Sequence, residues 1–220
     1  ASLKTIPYDV ANDITPISLI AEAPMGIAVP KGKYKDLKDF VETAKNRKDG
    51  MAYGEIGYGL DLHYLSENIA RLGKFKTVSV PYNDVGGSIT DLIEGRLDFY
   101  FATLELLLPL QDKFDILALA IDNRSPIAPQ IPTFKELGYP EMTYTFHFGL
   151  YAPTGTPQYI LDKLLIAVNE IKQSKDFKKR MEERSMTNMP SFTLKEARDW
   201  LIKDIQYRKN LAEEIGIEPR

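Results

Sequence analysis

The 220-residue chain contains no cysteine and only two histidines, His63 and His147. The absence of cysteine excludes disulfide bonds, thiol catalysis and zinc sites built from cysteine ligands. The 28 basic residues do not outnumber the 31 acidic ones, and the net charge of −3 provides no surplus for a nucleic-acid backbone or an anionic bilayer. We therefore expect no nucleic-acid partner, and any metal would need a site built of oxygen ligands.

Long hydrophobic segments are also lacking. The sequence has no run of about eighteen apolar residues, and its N-terminus lacks the basic and apolar regions of a secretion signal. Because a signal can be removed from a mature protein, these absences leave the compartment open. The contents of 44% hydrophobic and 27% charged residues are typical of a globular protein, with enough chain for one large or two small domains.

Extended apolar runs alternate with helical patterns in the first two thirds of the chain. This alternation predicts α/β units around a largely parallel sheet. The predicted strands cover residues 17–29, interrupted at Pro24, and residues 51–54, 77–80, 97–101 and 116–121. The predicted helices cover residues 35–44, 59–73 and 85–94, the last with an apolar face of Ile89, Leu92 and Ile93.

The C-terminal third is predicted to be mainly helical. Thr156 is placed to cap a helix that has Pro157 at its first position. The apolar stripe of that helix is Ile160, Leu161, Leu164, Leu165, Val168 and Ile171. Thr193 and Glu196 have the spacing of a capping box before a long amphipathic helix, which carries the single tryptophan, Trp200, beside its apolar stripe.

Residues 54–59 form a glycine-rich loop, Gly-Glu-Ile-Gly-Tyr-Gly, between a predicted strand and a predicted helix. Glycines let the backbone approach a ligand, and the N–H groups at a helix start favour a carboxylate or phosphate. A tight turn without a ligand is the alternative interpretation. The spacing matches neither the dinucleotide nor the ATP-binding loop, so NAD and ATP are not expected. Asp61 suits the helix dipole but would compete with a bound anion.

The other candidate residues each have a structural alternative. His63 is interpreted either as a general base or, more often for a lone helical histidine, as a hydrogen-bonded structural residue. His147 is interpreted as strand core or cleft wall. Tyr82 follows a strand where ligands meet open α/β sheets, but the same segment offers Asn83 or Asp84 as a helix cap. Neither a serine triad motif nor a distinctive carboxylate pair is present, so catalytic residues are not expected.

Six groups of short motifs, taken in order, resemble the Bug/TctC family of extracytoplasmic solute-binding proteins of tripartite tricarboxylate transporters. The motifs are residues 8–9 with 13–20; residues 53–54 with Gly57, Gly59 and His63; residues 80–82; residues 90–92 with 95–98; residues 124–126 with 131–133; and residues 149–157.

The resemblance implies a type II periplasmic-binding-protein-like α/β fold, the Venus flytrap, whose two lobes flank a small solute. Lobe one would comprise residues 1–24 and 147–220, and lobe two residues 25–146. Family members carry an N-terminal segment with a Pro-Gly-Gly loop, and this chain starts after it, so we expect an incomplete first lobe with exposed apolar surface. The resemblance further implies a periplasmic protein without enzymatic activity, cofactor or metal, whose partners are a small, carboxylated organic solute and membrane permease subunits.

The resemblance also implies which residues bind the ligand. The candidates are Glu55, Ile56, Gly57, Tyr58, Gly59, Leu60 and Asp61 in the loop, with His63, Tyr82, Ala102, Thr103, His147 and Phe148. In the family, small hydroxyl residues are usual at several of these loop positions and an aspartate at position 102. The replacements predict a ligand that is less anionic or more aromatic than an ordinary dicarboxylate.

A non-transporting family member, acting as an interaction or assembly module, is the alternative function. Such a module could form a homodimer by exchanging strands at open sheet edges. An enzyme that depends on His63 or Asp98 is the least favoured interpretation.

Overall fold

The computed structural model describes residues 7–217, in a chain that divides into two compact units. Unit 1 combines Ala1–Ala23 with His147–Arg220, and unit 2 is the continuous segment Pro24–Phe146. Residues 1–6 and 218–220, which belong to the predicted first lobe, lie outside the described residues. Helix α1 (Val10–Asp13) opens the described part, and strand β1 (Ile14–Pro30) contributes residues to both units.

Short strands and helices alternate in unit 2. Its helices are α2 (Leu37–Asn46), α3 (Asp61–Gly73), α4 (Val85–Ile93) and α5 (Leu104–Leu107). Its further strands are β2 (Met51–Glu55), β3 (Thr77–Pro81), β4 (Tyr100–Thr103) and β5 (Phe114–Leu119). The predicted helices at 35–44, 59–73 and 85–94 are thus confirmed with small shifts of their ends.

Strand pairing in unit 2 differs from the predicted largely parallel sheet. Strand β1 pairs antiparallel with β4, where Met25 lies opposite Thr103, and antiparallel with β5, where Gly26 lies opposite Leu119. Strand β1 also pairs antiparallel with β7 (Thr187–Asn188), whereas β2 and β3 pair in parallel. The prediction is wrong because alternating strands and helices give a parallel sheet only where a helix crosses between adjacent strands, as α3 does between β2 and β3.

The predicted strand boundaries also change. Strand β1 continues through Pro24, which falls between the positions that pair with β7 and those that pair with β4. A proline is tolerated where it does not have to donate a ladder hydrogen bond. Strand β4 begins at Tyr100 rather than at residue 97, because the segment before it bonds to β2 instead: the Asp98 N–H donates to the Ala52 carbonyl at 2.8 Å.

A row of buried aromatic rings forms the centre of unit 2. The ring of Phe99 lies 5.4 Å from Phe40 and 5.5 Å from Tyr53, and Phe101 lies 6.0 Å from Phe134 between ring centroids. All five side chains are fully buried. Aromatic pairs at these separations stabilise a core beyond their burial alone, so this row joins α2, β2 and β4.

Helix α4 buries a different face from the predicted one. Leu92 is fully buried as expected, but Ile93 is exposed and Ser88 is buried in its place. Ser88 and Leu92 are one turn apart and therefore share a face. A Cβ added at Gly54 would lie 3.1 Å from the Ser88 side chain, so β2 and α4 approach closely through two small residues.

Asp98 is a buried carboxylate of unit 2 with three donors. Its Oδ1 accepts from Lys33 Nζ at 2.7 Å and from Arg47, and its Oδ2 accepts from the Ala52 N–H at 2.8 Å. Burial opposes ionisation of the carboxyl, but the hydrogen bonds from Lys33 and Ala52 outweigh it and hold the pKa of Asp98 below its ordinary value.

Unit 1 continues with strand β6 (Thr145–Pro153), most of which lies in this unit, then α6 (Gln158–Gln173), α7 (Lys175–Glu183), β7 and α8 (Leu194–Glu214). Strands β6 and β7 pair with β1. The capping box at the start of α8 is confirmed, because Thr193 accepts from the Glu196 N–H and Glu196 accepts from the Thr193 N–H.

The predicted cap of α6 is wrong. The N-cap residue is Pro157, and the Thr156 hydroxyl instead donates to the Pro153 carbonyl at 2.8 Å. Threonine hydroxyls often form such local hydrogen bonds to nearby backbone groups, and a hydroxyl bonded in this way does not cap the helix. The helix buries only Leu161 and Lys172, whereas Ile166 and Ile171 are 59% and 54% exposed. Helix α6 therefore exposes part of its apolar stripe, and the predicted incompleteness of the first lobe stays a prediction.

Lys172 is a buried lysine that joins three parts of unit 1. Its Nζ donates to the Leu19 and Pro190 carbonyls at 2.6 Å each, and to the Ser18 hydroxyl at 3.2 Å. Burial lowers the pKa of this ammonium group. Helix α6 is thereby bonded to β1 and to the segment that precedes α8.

Candidate functional site

A cavity of about 380 Å³ lies within unit 2. Strands β1 and β4, the glycine-rich loop, the N-terminal ends of α3 and α4, and helix α5 all contribute to its wall. The lining residues are Met25, Ile56, Leu60, Asp61, Leu62, Val85, Tyr100, Ala102, Thr103, Leu106 and Phe146. Most of these side chains are apolar, which is typical of sites that enclose a small organic molecule.

The glycine-rich loop folds tightly beside this cavity. Gly59 has a φ of +72°, a conformation that favours glycine, and the Leu60 N–H donates to the Gly57 carbonyl at 3.2 Å. A Cβ added at Gly57 would lie 2.6 Å from Leu60 Cδ1. These contacts show a tight turn, which places Ile56 and Leu60 in the cavity wall.

His63 anchors the loop from inside. It is 5% exposed, and its Nδ1 accepts from the Gly59 N–H at 2.8 Å, so that nitrogen carries no proton. The ring of Tyr58 packs against the imidazole with 4.6 Å between centroids. Of the two interpretations of His63, these contacts support the structural one. The Gly59 N–H, one of the loop groups that could bind an anion, is therefore already bonded to His63.

Asp61 brings a carboxylate to the cavity. It lies in the first turn of α3, and its Oδ1 accepts a short hydrogen bond from the Tyr144 hydroxyl. Among the described lining residues there is no lysine, arginine or histidine. The phenol of Tyr100 is fully buried, and burial raises its pKa, so this group stays neutral.

Several candidates from the sequence lie in unit 2 outside the cavity lining. The Tyr82 hydroxyl donates to Asp91, and burial together with this bond raises the pKa of Tyr82 to about 12. Glu55 accepts from the Ser79 hydroxyl. Asp84 caps α4 by accepting from the Gly87 N–H, as the structural alternative for this segment predicted. Five predicted residues do line the cavity: Ile56, Leu60, Asp61, Ala102 and Thr103.

His147 and Phe148 belong to unit 1. His147 Nε2 lies 3.1 Å from a carboxylate oxygen of Glu22, and its ring packs edge-on against Trp200 at 4.8 Å between centroids. The Phe148 side chain is 40% exposed. His147 lies in strand β6, and its contacts with Glu22 and Trp200 were not predicted from the sequence.

Six lining residues were missed by sequence reasoning: Met25, Leu62, Val85, Tyr100, Leu106 and Phe146. The antiparallel pairing of β1 with β4 sets Met25 opposite Thr103. Once Ala102 and Thr103 were candidates, their near neighbours Tyr100 and Leu106 could have been added from the sequence. Met25 could not, because its position depends on strand pairing between distant segments.

No three histidine, aspartate or glutamate side chains among residues 7–217 are grouped so as to hold a metal ion. In the same part of the chain, every helix is too short or too polar to cross a bilayer.

Solved structures that include a periplasmic binding protein share this fold. R. palustris Rpa4515, solved with adipate, superposes with a TM-score of 0.91 at 25% identity, over 100% of this chain and 74% of its own. The periplasmic binding protein BugD superposes with a TM-score of 0.86 at 21% identity, over 100% of this chain and 75% of its own. The fold is therefore the α/β fold of periplasmic solute-binding proteins.

The chain belongs to the TctC family (tripartite tricarboxylate transporter family receptor), which it matches over residues 2–217. Protein BugT of Bordetella pertussis is 28% identical over 217 residues, covering 97% of this chain and 66% of its own length. The UPF0065 protein in the tcbD-tcbE intergenic region of Pseudomonas sp. (strain P51) is 25% identical over 169 residues, covering 75% of this chain and 50% of its own length. The chain thus spans between half and about two thirds of these curated relatives. The family is one of receptors, which agrees with the expectation that the protein is not an enzyme.

Proposed function

We propose that this protein binds a small carboxylated or aromatic organic solute in the periplasm and delivers it to the membrane permease subunits of a tripartite transporter. The observation that carries the proposal is the cavity in unit 2, whose volume of about 380 Å³ lies in the range of small-molecule sites. Membership of a transporter receptor family supports the delivery step. Rpa4515, which was solved with adipate, supports an organic acid as the solute.

We assign the solute contacts in unit 2 to the cavity lining. Ile56, Leu60 and Ala102 would contact the apolar body of the solute, and Thr103 would offer a hydroxyl to a polar group. Glu55, Gly57, Tyr58, Gly59 and His63 would act indirectly by shaping the loop. Tyr82 is bonded to Asp91 and has a structural role in this assignment. A ligand contact by His147 or Phe148 stays a prediction.

Calorimetric titration tests the proposed function. The purified chain would be titrated with a panel of linear mono- and dicarboxylates, aromatic acids and neutral aromatics. Ala102→Phe fills the cavity, because Ala102 lines it and is 3% exposed. We expect this variant to lose at least about tenfold in affinity, equivalent to about 1.4 kcal/mol. The control is Thr43→Phe on the exposed side of α2, which should bind as the wild type does. Binding that is equal in both variants would contradict the assignment.

A second function, that of an assembly module, is favoured by the exposed apolar residues of α6. Ile160, Leu164, Ala167 and Ile171 follow one another at spacings of four, three and four residues, which is the pattern of a helix–helix seam. In an antiparallel pair of two copies, Leu164 would face Ala167, and Lys163 beside this seam would face Glu170 of the other copy. Light scattering gives the mass in solution: a dimer that Ile171→Glu dissociates supports this function, and a monomer contradicts it.

A further inference from the structure

We infer that the cavity of unit 2 accepts an uncharged apolar end of the solute and rejects a carboxylate. This inference rests on the proposed function and specifies which solutes the same cavity prefers. An aliphatic or aromatic monocarboxylate, or a neutral analogue, would bind more tightly than a dicarboxylate of the same length. Three properties of the cavity support this selectivity.

The first property is that the loop at the cavity already uses part of its capacity to bind an anion. The Gly59 N–H donates to His63 Nδ1, and the Leu60 N–H donates to the Gly57 carbonyl. A carboxylate of the solute would have to displace these bonds. The positive end of the α3 dipole is balanced as well, because the Asp61 carboxylate lies in the first turn.

The second property is the charge of the wall. Asp61 is a lining residue, and the Tyr144 hydroxyl that donates to it holds it in place. None of the described lining residues carries a positive charge to offset this carboxylate. A solute carboxylate inside the cavity would therefore meet a like charge at short range, where water screens poorly, and binding would weaken.

The third property is the apolar surface on the other sides of the cavity. Leu60, Val85, Leu106 and Phe146 come from different elements and line a space of about 380 Å³ that is open to solvent at the exposed side chains of Leu60 and Leu106. Burying alkyl or aromatic surface against these side chains is favourable, whereas a carboxylate buried there would lose its hydration without compensation. The cavity therefore matches the hydrocarbon end of a solute.

The test is a calorimetric titration of the wild-type chain with adipate, hexanoate and 1-hexanol, which have equal chain lengths and two, one and no carboxylates. We expect hexanoate to bind at least about tenfold more tightly than adipate. Asp61→Asn keeps an oxygen for the Tyr144 hydroxyl but removes the charge, so adipate should then approach hexanoate in affinity while 1-hexanol is unchanged. Asp122→Asn removes an exposed charge in the same unit and should leave all three affinities as they are.

Adipate that binds wild-type protein as tightly as hexanoate would overturn this inference and leave the proposed function intact. The same holds if Asp61→Asn, shown by circular dichroism to be folded, leaves the ratio of the two affinities unchanged. If none of the three solutes binds the wild type, the proposed function fails together with this inference. If Asp61→Asn fails to fold, the ratio of hexanoate to adipate affinity in the wild type tests the inference by itself.

Discussion

Replacing Asp98 with asparagine should destabilise unit 2 by about 2–3 kcal/mol. The carboxylate is buried, with its side chain 4% exposed, and it accepts from Lys33, Arg47 and the Ala52 N–H. Asparagine keeps one acceptor oxygen, so about two charge-assisted bonds are lost, at roughly 1.5 kcal/mol each. The value falls below the 3–5 kcal/mol typical of a broken buried pair because the Lys33 and Arg47 side chains are 36% and 43% exposed and can regain water.

Urea unfolding followed by far-UV circular dichroism measures this loss, and thermal unfolding should show a decrease of roughly 4–12 °C. The fluorescence of Trp200 reports on unit 1 and serves as an internal control. Hydrogen exchange at the Ala52 amide gives a local readout, because that N–H donates to Asp98. A loss below about 0.5 kcal/mol, within the range of ordinary surface substitutions, would refute the reasoning.

The same variant has a pH signature. The pKa of Asp98 is lower in the folded chain than its ordinary value of 3.8, so the unfolded chain binds the proton more tightly. The stabilisation is therefore complete above pH 3.8 and is lost as the pH falls through the folded pKa. The difference in free energy of unfolding between wild type and Asp98→Asn should be constant near neutral pH and shrink in acid. A difference that grows in acid would contradict this sign.

Three further predictions concern the other polar anchors. Thr193→Ala should cost about 1 kcal/mol by removing the helix cap, measured by urea unfolding with Trp200 fluorescence. The free energy of unfolding of the wild type should rise relative to Lys172→Met as the pH rises towards 10.5, because burial lowers the pKa of Lys172 in the folded state; a falling difference would contradict this. His63→Ala removes the acceptor that holds the Gly59 N–H and should weaken binding of hexanoate, whose apolar end packs on the loop, about tenfold in calorimetry; unchanged affinity would show that the loop needs no anchor.

Local patterns in the sequence predicted local structure well. The helix spacing of Leu37, Phe40, Val41 and Ala44 predicted α2, and all four side chains are buried. The capping box of α8 depends on residues three positions apart, so the spacing alone identifies it. Thr156 shows the limit of such reasoning. A threonine before a proline is compatible with a helix cap and with a local turn, and the structure contains the turn.

Long-range arrangements could not be predicted in the same way. The antiparallel pairing of β1 with β4 and β5 joins segments separated by more than seventy residues. No local sequence pattern predicts such a pairing. Four of the eleven lining residues, Met25, Tyr100, Ala102 and Thr103, lie on β1 and β4. The glycine-rich loop lies between β2 and α3 as predicted. Of its two interpretations, an anion site and a tight turn, the bond from the Gly59 N–H to His63 supports the tight turn. His63 is buried in α3 and its ring accepts the Gly59 N–H, a contact that the sequence pattern did not predict.

Native mass spectrometry of the chain, purified without denaturant, tests most directly whether the protein binds a solute. We predict a monomer that carries one small organic molecule, or that takes one up from the panel of acids and aromatics at a ratio of one to one. The Ala102→Phe variant should lose that molecule. A chain that remains empty with every solute, and that is found as a dimer, would contradict the account and support the assembly function instead.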